Sequence, residues 1–339
     1  MCFDIFKIEI DTMNYELPFE PFFLLSGPHH QTIFSSFIYY FFDPVSERRI
    51  IDLSDGDKLS VEITTPKGWK ASDLTVVLVH GLCGSHRSPY LVRMVKHLEP
   101  LGVRTVRVNM RGCGSGKGLA KYMPHCGRSE DVFEVIKQLK VETPDSPFVL
   151  IGFSLGGNIA LKMGGELASL GKNFLAGLIA VSPPVDIYSS ILILEKADNA
   201  VYERYFIRSM CADVRYRHRK FKELPRVNLP RNLTIYEFDQ IYTAPQYGFR
   251  NAHDYYNKCS AAPLVADIEV PCKILFAEDD PIVSSTTLDA FDLPSNVEVY
   301  KTKRGGHMGY FANPTDKNGL YWLDALLLDW ISTFAPAQP

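Results

Sequence analysis

The chain has 339 residues, 46% of them hydrophobic and 22% charged, with a formal net charge of −3. A chain this long and apolar can bury a large core, and its charge is too low for intrinsic disorder. The near-neutral balance supplies no global field for nucleic acid or an anionic membrane.

The seven cysteines are odd in number, irregularly spaced and without a C-x-x-C pair. They read as reduced thiols of a cytoplasmic protein rather than a disulfide framework or zinc site. Met1 to Asp11 carries acids and lacks the basic-then-apolar order of a secretion signal. The most apolar run, Ile33 to Phe42, is too short for a transmembrane segment. Residues 1–48 are expected to form an N-terminal extension packed on the core, with peripheral membrane contact the alternative for that run.

From residue 49 the pattern becomes regular. Arg49 to Leu53 and Lys58 to Thr64 read as strands around the turn Ser54-Asp55-Gly56-Asp57. Leu74 to Val79 is a continuous apolar run, as in a strand covered on both faces. Ser88-Pro89 starts a helix with Leu91, Val95 and Leu98 on one face, and Gly102 ends it. Val103 to Val108 is the next strand. Ser129 is expected to cap a helix with Glu130 and Asp131 in its first turn, where the dipole favours acids. Phe148 to Ile151 is a short buried strand, Ser154 to Leu170 a helix closed by Gly171, and Leu175 to Val181 another strand.

The alternation breaks at Asp186. From there to about Ala262 the chain reads as polar, aromatic and irregular, a cap inserted over the sheet edge. Its aromatics, among them Tyr202, Phe238, Tyr242 and Tyr247, are expected to form a small core of their own, some of them lining an acyl pocket. Lys273 to Phe276 and Val297 to Tyr300 resume the strands, and Thr315 to about Thr333 forms a final helix with Leu320, Leu323, Leu327 and Trp330 on one face. The alternation predicts an α/β fold with a mostly parallel central sheet and helices on both faces. Residues 49–185 and 263–339 would form this core, and residues 186–262 the cap.

Gly152-Phe153-Ser154-Leu155-Gly156 matches G-x-S-x-G. The motif alone is weak, but here it follows a buried strand and opens a helix, the setting a nucleophile elbow demands. The flanking glycines admit the tight turn. A serine hydroxyl needs a base, and in this fold the order is serine, acid, histidine. His307 lies between glycines after the last strand, whereas His253 lies in the cap before any acid loop. The acid should follow the preceding strand, where Glu278, Asp279 and Asp280 are consecutive. Asp280 precedes a proline, which biases it to an extended direction, and is favoured over Asp279. The oxyanion donors would be the backbone N–H groups of Leu155 and Leu82. His80 reads as structural and Cys83 as a bystander.

These pieces resemble the YheT-like branch of the α/β-hydrolase superfamily. The matching segments are Gly27 to Thr32, His80 to Leu82 with Ser88-Pro89-Tyr90, Asn109 to Gly114, Gly152 to Gly157, Ser182 to Asp186, Asp254 to Tyr256, Asp279 to Pro281 and Gly305 to His307. Cys83 and the loop through Lys117 depart from the pattern. The resemblance implies a carboxylic-ester hydrolase without a cofactor, acting on short-chain or lipid-like acyl esters, with Ser154, Asp280 and His307 as its triad. It also implies a soluble protein, since the membrane-anchoring helix of eukaryotic members has no counterpart here.

Other signals are discounted. Gly112 to Gly118 follows a strand but fits neither the P-loop nor the dinucleotide fingerprint. The basic run from Arg215 to Lys222 reads as a solvated cap face, not a nucleic-acid site. No metal-ligand spacing occurs. The expected activity is hydrolysis of a small acyl ester through an acyl-enzyme. The alternatives are acyl transfer with the same triad, or a non-catalytic scaffold, against which the intact set of three residues argues.

Overall fold

Continuous apolar runs become the centre of the sheet. The structure, a computed structural model, describes residues 16–37, 43–225 and 227–335. The N-terminal segment through Asp11, Cys2 and the end of the apolar run at 38–42 lie outside the described residues. The strands are β1 (Glu47–Asp52), β2 (Lys58–Thr64), β3 (Thr75–Val79), β4 (Arg104–Asn109), β5 (Phe148–Phe153), β6 (Gly177–Val181), β7 (Cys272–Ala277) and β8 (Val297–Thr302). They form one sheet in the order β1-β2-β4-β3-β5-β6-β7-β8. The β1–β2 and β2–β4 pairs are antiparallel, and all pairs from β4–β3 to β7–β8 are parallel.

Alternate residues of the inner strands face opposite sides. Val76, Leu78, Val149, Ile151, Ile179 and Val181 lie in one apolar cluster. That cluster includes α2 (Pro89–Leu98) and, through Leu323, Leu326, Leu327 and Trp330, the terminal helix. Val77, Val79, Val106, Val108, Leu150 and Ala180 lie in the other, against α3 (Ser129–Glu142) and α4 (Leu155–Leu167). Both faces are therefore dry, as a parallel sheet requires. The chain leaves β3 for β4 on one side and then crosses to β5 on the other. The crevice beyond the carboxyl ends of β3 and β5 is thus a topological switch point, where open α/β sheets bind ligands.

Several elements differ from their sequence expectation. Ser129 is the first helical residue rather than the cap, and its hydroxyl donates to Glu166 at 2.5 Å. The terminal helix begins at Trp322, not Thr315. Asn313 accepts hydrogen bonds from the Thr315 N–H and hydroxyl, and these local bonds favour a turn over a helix there. In the N-terminal part, α1 (Pro28–Phe37) packs near the carboxyl ends of the strands, and Leu17 N–H bonds the Lys301 carbonyl at 2.8 Å beside β8.

The stretch expected to be irregular is mainly helical. It contains α5 (Ile187–Leu194), α6 (Ala200–Lys220), α7 (Ile235–Phe238), a π-turn at Asp239–Thr243, α8 (Ala244–Gln246) and α9 (Ala252–Cys259). Nor do its aromatics make a separate core. Tyr202, Phe238, Tyr242, Tyr255 and Tyr256 belong to the same buried cluster as Val77 and Val79 of the sheet.

Arg217, assigned above to a solvated run, is 1% exposed. Its guanidinium donates to the carbonyls of Ala120, Tyr122 and Arg111 at 2.5 to 2.8 Å, and to Asp213 at 2.6 Å. A buried charge is tolerated when it is paired and hydrogen-bonded in this way. Arg217 therefore clamps α6 to the loop after β4.

Candidate active site

The serine turn is shaped by what its neighbours lack. Ser154 has φ 51° and ψ −121°, a strained conformation for a residue with a side chain. Its N–H bonds the Val181 carbonyl at 2.8 Å, holding the turn on β6. A Cβ on Gly156 would lie 2.5 Å from the Val79 carbonyl oxygen, so only glycine lets α4 start so close to β3. α4 then rises from the turn with its N-terminus behind Ser154, which favours negative charge forming there.

His307 Nε2 lies 2.8 Å from Ser154 Oγ, and His307 Nδ1 lies 2.8 Å from Asp280 Oδ2. The side chains of His307 and Asp280 are 7% and 1% exposed. The other Asp280 oxygen accepts the Ile282 and Val283 N–H groups at 2.8 and 3.0 Å. Both oxygens are thus committed, and the carboxylate is oriented by backbone. Asp279 points elsewhere: it accepts the Gly306 N–H at 2.8 Å and so steadies the histidine loop. Burial pushes the Asp279 carboxyl up from its ordinary value. His253 stands in the cap, its ring edge-on to Tyr188 with centroids 5.0 Å apart.

Sequence reasoning gave no role to the residues that hold the histidine loop from outside. Thr32 on α1 accepts the His307 N–H at 2.9 Å and donates to the Pro28 carbonyl at 2.7 Å. Gln31 is fully buried. Its amide oxygen accepts the Phe311 N–H at 2.7 Å, and its nitrogen donates to the Leu25 and Phe311 carbonyls at 2.8 and 3.1 Å. Gly306 has φ 55°, and a Cβ there would meet the Pro28 carbonyl at 2.5 Å. The available signal was the polar pair Gln31-Thr32 within the Gly27 to Thr32 segment.

The loop after β3 lies against the serine. A Cβ on Gly81 would come 3.1 Å from Ser154 Cβ. The Gly81 N–H is taken by the Tyr90 hydroxyl at 3.0 Å. Among the described residues, the N–H groups of Leu82, one residue past Gly81, and of Leu155, one past Ser154, have no hydrogen-bond partner. His80 is fully buried. Its Nδ1 bonds the Gly81 carbonyl at 2.7 Å, and its Nε2 accepts the Met110 N–H at 3.2 Å. The proton therefore sits on Nδ1. Burial lowers the His80 pKa to about 4, so the ring is a neutral peg between the β3 and β4 loops. Burial likewise raises the Cys83 thiol to about 12, which keeps it out of nucleophilic chemistry near neutral pH.

Residues of the inserted helical stretch reach the neighbourhood of the triad. His29 Nδ1 lies 2.9 Å from the Tyr202 hydroxyl of α6. Asn199 donates to the Pro281 carbonyl at 2.7 Å, beside Asp280. Asn158 of α4 donates to the Cys126 and Cys259 carbonyls at 3.0 and 2.9 Å and accepts the Ala261 N–H at 2.9 Å, fastening the end of the cap. Among the described residues no group of three or more acidic, histidine or cysteine side chains could hold a metal ion, and no helix is long and apolar enough to cross a membrane.

Such a sheet, with a serine on a strained turn after its fifth strand, is that of an α/β hydrolase. The α/β-hydrolase fold family matches residues 75–314. The chain is 30% identical to YheT of Escherichia coli (strain K12), which carries an esterase designation, over 88% of this chain and 87% of that protein. It is 26% identical to a monoacylglycerol lipase of Saccharomyces cerevisiae over 76% of this chain and 59% of the yeast protein. The solved esterase Pf2001 of Pyrococcus furiosus shares the fold with a TM-score of 0.54 at 18% identity, covering 85% of this chain and 92% of that one. The chain belongs to the α/β-hydrolase family, in its YheT-like branch.

Proposed function

We propose that the chain is a serine carboxylesterase acting on short-chain or lipid-like acyl esters. The observation that carries this reading is the continuous chain from Ser154 Oγ through His307 to Asp280, with both links at 2.8 Å. Ser154 Oγ attacks the ester carbonyl while His307 Nε2 takes its proton. Asp280 holds the imidazole with Nδ1 protonated and stabilises the imidazolium. The Leu82 and Leu155 N–H groups donate to the tetrahedral oxyanion. His307 returns the proton to the leaving alcohol, and water, activated by the same imidazole, then releases the acid from Ser154. In this reading the described part of residues 186–262 acts as a cap on a core formed by 49–185 and 263–335, and residues 16–37 brace that core.

The names of the YheT and yeast relatives support the ester class. The test is Ser154→Ala with a panel of p-nitrophenyl esters graded by acyl length. Hydrolysis is expected to fall to background, about 10⁶-fold, with the fold intact. A fluorophosphonate probe should label Ser154 of the wild-type protein and leave the variant unlabelled. Turnover retained by purified Ser154→Ala protein would reject the assignment.

A further inference from the structure

We propose that the outer face of α6 docks on an anionic lipid–water interface and so presents the Ser154 site to esters held there. The proposal rests on the ester-hydrolase reading only for the substrate; the docking stands on the surface itself. α6 runs 21 residues, a rod of about 30 Å. Its inner face buries Tyr202, Ile207, Met210, Val214 and Arg217. Its outer face exposes Arg204, Arg208, Arg215 and Arg219, spaced four or seven residues apart along one side. Among the described residues none of these four has an ion-pair partner.

The nearby acids do not cancel this charge. Asp213 is paired with Arg217 at 2.6 Å, so Glu203, turned to the Ile235 N–H at 3.3 Å, is the one other acid of α6 against the four arginines. Glu195 and Asp198 are exposed but precede the helix. The chain as a whole is acidic, with a net charge of −3, so four unpaired arginines on one side make a local reversal of sign.

The same side carries apolar groups at the end nearest the site. Val201 is 66% exposed, Tyr205 56%, and Leu192 on the preceding α5 49%. A polyanion such as nucleic acid has no use for exposed aliphatic groups, whereas a bilayer surface accepts both: phosphates for the guanidiniums, acyl and glycerol regions for Val201 and Tyr205. This end of α6 is also the one tied to the triad loops, through Asn199 and the Pro281 carbonyl at 2.7 Å. Tyr202, one residue from Val201, bonds His29 at 2.9 Å, and its phenol is raised by burial with the Asp280 charge adding to it.

The experiment is co-sedimentation of the full chain with vesicles of phosphatidylcholine alone or mixed with phosphatidylglycerol. Binding is expected to be about tenfold or more stronger on the mixed vesicles and to weaken with added salt. Arg204→Gln, Arg208→Gln, Arg215→Gln and Arg219→Gln combined should lose most of that binding. Val201→Ser with Tyr205→Ser should lose the part that resists salt. All variants should hydrolyse a soluble p-nitrophenyl ester and label with the fluorophosphonate as the wild type does, which shows that they fold. Ser154→Ala should partition like the wild type, so a wrong enzyme assignment shows in turnover while a wrong docking assignment shows in partitioning. Equal binding to both vesicles, binding unaffected by the arginine substitutions, or binding to a DNA duplex with none to vesicles would overturn the proposal.

Discussion

The strand-end loops and the cap place their polar groups by different means. At the carboxyl ends of β3, β5, β7 and β8, position follows from backbone. Ser154 sits where β5 stops, Asp280 is three residues beyond β7, and His307 is five beyond β8. For Ser154 and Asp280 the partners are mainly amides and carbonyls of neighbouring turns, while the His307 loop also leans on the side chains of Thr32, Gln31 and Asp279. In the cap, placement depends on side chains that travel far. Arg217 reaches carbonyls about a hundred positions earlier in the chain, and Asp239 is a buried carboxyl group met, among the described residues, by two hydroxyls, Thr243 at 2.5 Å and Tyr256 at 2.8 Å. The first arrangement spreads its support over turns and several short contacts, so a single side-chain change there costs little stability. The second fails when one side chain is lost.

The sharpest break of this comparison is expected at Asp280. Asp280→Asn should keep the protein folded and lower kcat by about 10⁴, because the imidazole is then held in the wrong tautomer. Asp279→Asn retains an oxygen for the Gly306 N–H and should cost about tenfold or less. Steady-state kinetics on one ester compares the two, and equal losses would contradict the assignment of the acid.

Next in size is Arg217→Met. It strands three carbonyls and Asp213 and should destabilise the protein by about 3–5 kcal/mol, read by denaturant unfolding. Arg217→Lys should recover only part, since an ammonium cannot reproduce the planar fork. Full stability in Arg217→Met would mean that the cap is held by its apolar contacts alone.

Acid separates the two regions in sign. Burial raises Asp239 from 3.8 to about 6, so the folded state keeps a proton that the unfolded chain has released. Its contribution is present below about pH 4 and is lost as the pH rises to about 6, by about 3 kcal/mol. His80 runs the other way. Lowered from 6.5 to about 4, it contributes stability that is complete above pH 6.5 and is lost as the pH falls through 4. Unfolding free energies from pH 4 to 7 should show the Asp239→Asn protein gaining about 3 kcal/mol on the wild type as the pH rises. A constant difference across that range would remove the buried acid from the account.

The smallest effect is expected at Thr32. Thr32→Val leaves the buried His307 N–H without an acceptor, at about 1–3 kcal/mol. It should lower kcat about tenfold with KM nearly unchanged. Thr32→Ser should restore the rate, which a merely space-filling role would not predict.

The order of strands and helices in the core, the serine turn and the two loops that carry His307 and Asp280 were legible from residue pattern. Each depends on signals within a few positions: apolar runs for buried strands, glycines for strained turns, a loop just past a strand. β3 and β5 through β8 lie within a few residues of their expected bounds for this reason. The helical cap was not legible, because α6 buries an arginine on its inner side and exposes Val201 and Tyr205 on its outer one, which disguises its period. Thr32, Gln31, Arg217 and Asn158 were not legible either. What each does is defined by a partner about a hundred or more residues away, and no local pattern encodes a contact that exists only once the chain has closed on itself.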